Sequence, residues 1–97
     1  MGVEMAVPRQ GPCPLPPVLA ALRAGGVAAA VVMVDNVLKP TGAPLPDDWR
    51  DVRLRTPAGM VTLRRHPSGI AVVVFGNADA ALRAVQRQVA EALRAAP

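Results

Sequence analysis

The most regular hydrophobic pattern in the chain lies between residues 52 and 75. Val52 and Leu54 alternate with Arg53 and Arg55, and Val61 and Leu63 alternate with Thr62 and Arg64, the period-two signature of half-buried strands. Thr56-Pro57-Ala58-Gly59 and His66-Pro67-Ser68-Gly69 separate these runs with Pro and Gly where turns favour them. Ile70 to Phe75 is apolar at every position, as befits a central strand. A three-strand antiparallel meander follows.

Two further elements flank it. Val27 to Val34 is a continuous apolar run and reads as a buried strand; Asp35-Asn36 forms a tight turn, and Val37-Leu38-Lys39 is a short edge strand ended by Pro40, Thr41 and Gly42. Leu82, Val85, Val89, Ala92 and Leu93 recur at helical spacing after Gly76, with Asn77 as helix cap and Asp79 as a first-turn acid. An earlier, shorter helix starts at Pro17, contains Val18, Leu19 and Leu22, and stops at Gly25-Gly26. Five prolines among residues 1–17 predict a flexible arm over residues 1–16, followed by one α/β domain at 17–97. Residues 43–49, rich in Pro and Asp, form a loop with Trp49 as a lid over apolar surface.

Composition then narrows the chemistry. With 97 residues and 52% hydrophobic positions the chain supports a small core, and its single Cys excludes a disulfide framework. Cys13, between Pro12 and Pro14, reads as an accessible free thiol. A triad would have to use the only His (His66), the only Ser (Ser68) or Cys13, and no spacing suits a metal or a phosphate loop. No catalytic residue, metal or cofactor is therefore expected. Asp47, Asp48 and Asp51, around Trp49, are the one carboxylate cluster that an enzyme reading would have to use. The opening residues show no secretory signal, and the longest apolar run is too short to cross a membrane, so the expected setting is cytoplasmic.

Charge adds one alternative. The formal net charge is +4, and Arg53, Arg55, Arg64 and Arg65 lie close together, so the alternative expectation is an anion- or nucleic-acid-binding face on the meander. With Trp49 and Phe75 as the only rings, stacking platforms for bases are scarce, which counts against nucleic acid.

If the two all-apolar strands lie adjacent in the middle, the expected fold is an α+β domain. It has a five-stranded antiparallel sheet of order 2-1-5-4-3 and an N-terminal and a C-terminal helix. In that arrangement the chain resembles the roadblock / dynein light chain family of small regulatory subunits. Gly26 to Asn36 and Val37-Leu38-Lys39-Pro40-Thr41-Gly42 are similar to the family's first two strands, and Gly69 to Asp79 with Leu82, Val85 and Val89 to its last strand and helix. The family's middle helix has no counterpart, because residues 43–50 stand in its place. One sheet face would then be left to meet another subunit. The resemblance implies a non-catalytic scaffold or regulator, in some members acting on small GTPases. The expected partner is a second copy or another protein subunit, with Trp49, Val52, Leu54, Leu82, Val85 and Val89 as interface.

Overall fold

The computed structural model describes residues 2–40, 42–76 and 78–96. In chain order the elements are β1 (Val3–Val7), α1 (Leu15–Ala24), β2 (Ala30–Val34), β3 (Val37–Leu38), β4 (Asp51–Thr56), β5 (Gly59–His66), β6 (Gly69–Val74) and α2 (Ala80–Ala95). The six strands form one sheet of order β1-β6-β5-β4-β2-β3, antiparallel at every pairing. The meander β4-β5-β6 forms as its alternation predicts.

Two expectations about the sheet are corrected. It has six strands rather than five, because residues 3–7 lie within the segment expected as an arm yet pair with β6 over five positions, Val3↔Val74 to Val7↔Ile70. Val3, Met5 and Val7 alternate with Glu4 and Ala6 and precede every proline of the chain, so nothing there opposes a ladder. The second correction follows from the first. β6 takes β1 and β5 as neighbours, and the apolar strand β2 pairs with β4 instead, with a bulge between Val31 and Met33. The order 2-1-5-4-3 is therefore not formed.

The stretch after β1 is fixed by side chains reaching across it. Arg9 donates to the carbonyls of Leu93 (2.9 Å) and Ala96 (2.5 Å), where a cation is favourable at the end of α2. Gln10 donates to Pro67 O, and Cys13 N to Asp47 O. α1 begins at Leu15, with Pro16 and Pro17 in its first turn where their missing amides are not needed. At α2 the cap is Asp79 itself, whose carboxylate accepts from Leu82 N at 2.9 Å. Asn77, expected as the cap, and Thr41, expected to help end β3, lie outside the described residues.

Turn chemistry ties β2 to β4. Asp35 and Asn36 both adopt positive φ (50° and 66°), the paired left-handed conformation that suits a two-residue hairpin. The Asp35 carboxylate accepts from Arg50 N (2.8 Å) and Asp51 N (2.9 Å), and these amide bonds, first that of Asp51, hold its pKa below the usual carboxylate value.

Both helices pack on the same face of the sheet. Leu15, Val18 and Leu22 of α1 and Leu82, Val85, Val89 and Leu93 of α2 join one buried cluster with Val52, Leu54, Val61, Leu63, Ile70, Val72 and Val74. Gly59 marks the side: a Cβ there would lie 3.3 Å from Leu82 Cδ2. Odd-numbered residues of β5 thus face the helices, and even-numbered ones face away.

Candidate interaction surface

Strand parity and register define the face opposite the helices. One row across it is Asp51, Arg64, Ala71 and Ala6, and the next is Met33, Arg53, Thr62, Val73 and Glu4. A third carries Ala30, Arg55 and Met60, continued by Phe75 just beyond β6. Leu38 pairs with Met33 and so shares this side.

The face is apolar and cationic at once. Among the described residues the exposed large hydrophobics are Val37, Leu38, Met60 and Phe75, and three of these four lie on it, at 75%, 43% and 50% exposure for Leu38, Met60 and Phe75. Single exposed apolar residues are ordinary, whereas these three share one side of the sheet. Thr62 and Val73 are nearly inaccessible here although no helix crosses this side. Arginine arms account for it: the Arg64 guanidinium reaches to 5.5 Å from the Phe75 ring centroid, so its stem runs over the row between Ala71 and Phe75.

Asp51 sits between two arginines. Its Oδ2 is 3.4 Å from Arg64 Nε and its Oδ1 is 3.9 Å from Arg53 Nε. The second distance is too long for a hydrogen bond, and both atoms are buried without a hydrogen-bond partner. Coulomb attraction alone joins them, in a half-exposed pair of the sort that contributes at most about 1 kcal/mol. Adding Arg55, the patch holds three guanidinium groups against one carboxylate, with Glu4 on the outer strand.

Of the four arginines singled out as an anion site, three therefore share this face and the fourth does not. Arg65 has odd parity and lies on the helix side. Its guanidinium stacks on the Trp49 ring at 4.5 Å, its Nε donates to Trp49 O (2.8 Å), and its terminal nitrogens donate to Asp47 O (3.3 Å) and to Gly11 O. That makes it a bracket holding two loops.

The residues expected to form an interface are placed in the core. Trp49, Val52, Leu54 and Val89 are fully buried, and Leu82 and Val85 nearly so. Their surface is covered by the chain's own helices and loops, and the side of β4 opposite the helices carries Arg53 and Arg55 instead. Sequence reasoning assigned no role to Phe75 or Met60; the signal available was parity, since both fall on the side of Arg53 and Arg55.

Other chemistry does not converge. Cys13, expected to be accessible, is fully buried beneath Trp49, whose Nε1 donates to Cys13 O at 2.9 Å. Burial pushes the thiol pKa up, with Arg9 and Arg65 pulling it part of the way back. Since the thiolate is the reactive species, Cys13 is expected to resist a disulfide reagent at pH 8 in the native protein and to react at once in urea. Rapid native labelling would contradict its burial. His66, Ser68 and Glu4 line a cavity of about 460 Å³, but no side-chain hydrogen bond joins them among the described residues. No three His, Cys, Asp or Glu side chains come together as a metal site among the described residues. A larger cleft of about 650 Å³ between α1 and α2 is lined mainly by Ala, Arg87 and Glu91.

No protein-family model, curated protein or solved structure matches the chain. Among the described residues no helix is long and apolar enough to cross a membrane.

Proposed function

We propose that the protein is a non-catalytic interaction module that docks another protein on its open sheet face, taking an acidic segment with apolar side chains. One observation carries this: Leu38, Met60 and Phe75 are exposed on the same face as Arg53, Arg55 and Arg64, opposite both helices. Arginine beside aromatic and methionine side chains is the composition of protein-binding hot spots, and the excess of guanidinium groups selects carboxylates on the partner. Surface chemistry, rather than the roadblock resemblance, supports the reading.

The test is selection from a random peptide library on the immobilised protein, beside a labelled single-stranded oligonucleotide. Selected peptides are expected to combine Asp or Glu with Leu, Phe or Met. Arg55→Glu and Met60→Glu should each weaken the selected peptide at least about tenfold, as hot-spot losses above 1.4 kcal/mol do. Peptides without acidic residues, or binding indifferent to both variants, would refute the docking face. Tight oligonucleotide binding that falls steeply with salt would favour the phosphate-binding alternative for Arg53, Arg55 and Arg64.

A further inference from the structure

The two edges of the sheet are treated differently. β3 is two residues long, is followed by Lys39 and Pro40, and its neighbour β2 carries a bulge. Short strands, Lys, Pro and bulges are the devices that keep an edge from pairing further. β1 is followed by Pro8 and carries Glu4, but it is neither short nor bulged. It runs five residues in unbroken register with β6, without Pro, Gly or Lys.

The direction of its free backbone groups follows from Gln86. The side-chain amide nitrogen of Gln86 donates to both Val3 O (2.9 Å) and Val72 O (3.0 Å). One nitrogen can touch both only if the two carbonyls point into the gap between β1 and β6. Val3, Met5 and Val7 therefore carry the ladder, and the N–H and C=O groups of Glu4 and Ala6 point outward from the edge. Val3 and Met5 are also only partly buried where they pack against the core, so the apolar layer is left open along this strand.

The geometry points to an isologous dimer in which β1 pairs antiparallel with β1 of a second copy, Glu4 opposite Ala6 and Met5 opposite Met5. Register is selected by charge and by donors. A shift one way sets Glu4 against Glu4, a direct like-charge pair. A shift the other way sets Glu4 against Pro8, which has no amide to give. The central register satisfies all four outward groups of each strand, faces Glu4 with a neutral alanine, and sets Val3 against Val7 on the helix side. The two-fold axis then stands normal to the sheet, and both open faces look the same way. The pairing does not depend on what the open face binds: Ala6→Pro leaves Met60 and Arg55 in place, and their variants leave β1 in place.

The experiment is a concentration series followed by light scattering and amide exchange. Mass is expected to rise to twice the 10.1 kDa of one chain, while the Glu4 and Ala6 amides, open in the monomer, become protected together. Ala6→Pro removes an outward donor without touching the ladder to β6, and should stay monomeric with an unchanged circular dichroism spectrum. If that variant does not fold, wild-type exchange alone decides. A monomer at about 1 mM overturns the dimer, leaving the edge to a strand from a different protein. A doubled mass with Glu4 and Ala6 still exchanging freely overturns it too, because the contact then lies elsewhere.

Discussion

Replacing Trp49 with alanine is expected to remove about half of the protein's stability at 25 °C. Trp49 is fully buried, donates to Cys13 O at 2.9 Å, and carries the Arg65 guanidinium on its ring at 4.5 Å. Truncating a buried Trp costs about 3–5 kcal/mol through lost burial and the cavity left behind. The Cys13 carbonyl, buried with its residue, adds about 1–3 kcal/mol when its donor is removed. A domain of this kind has about 5–15 kcal/mol in total, so the combined loss of about 4–8 kcal/mol takes about half of it. Trp49→Phe, which keeps most of the burial and loses the N–H, should lie between wild type and alanine in urea denaturation. A Trp49→Ala loss below about 1.5 kcal/mol would mean that the loops at residues 8–14 and 42–50 hold without it.

Gln86→Glu is expected to be nearly as damaging, and in a pH-dependent way. Gln86 is fully buried, gives its amide nitrogen to Val3 O and Val72 O, and leaves its Oε1 without a partner. A carboxylate there would meet two carbonyl oxygens at about 3 Å with no cation to pair with, a loss of about 3–5 kcal/mol of the size found for uncompensated buried charge. The protonated acid can still donate one hydrogen bond. Its pKa in the folded state is therefore raised above the unfolded value of about 4.3. The variant should come closest to wild type below that pH and lose stability as pH rises towards the folded pKa. Gln86→Leu removes the orphaned oxygen along with the donor and should fall within about 1.5 kcal/mol of wild type. Urea titrations at pH 4 and pH 7 check both signs; equal stability of Gln86→Glu at the two pH values would show that water reaches the site.

The meander, β3 and α2 were legible because each rests on a local pattern: alternation in β4 and β5, an unbroken apolar run in β6, and helical spacing from Leu82 to Leu93. β1 was missed because five prolines dominate its neighbourhood, although all of them follow Val7. Strand order was out of reach for a different reason. β2 and β6 are equally apolar, and only the arrival of β1 beside β6 separates them. The sidedness of β4 was read in reverse: Val52 and Leu54 were expected to face a partner, when a small core needs them beneath its own helices. With those residues turned inward, Arg53 and Arg55 face out, and the expectation of an uncovered sheet face stands on different side chains. Arg65 shows how narrow the margin is, since one step along β5 separates an arginine on the open face from one bracketing Trp49.

Mapping the bound peptide on the protein by amide chemical shifts is the most direct test of the docking face. Shifts are expected in one connected patch that includes Met33, Arg53, Arg55, Met60, Arg64 and Phe75, with α1 and α2 unmoved. Shifts centred instead on Ala21, Gly25, Gln88 and Glu91 would place binding in the cleft between the helices and contradict a function seated on the open sheet.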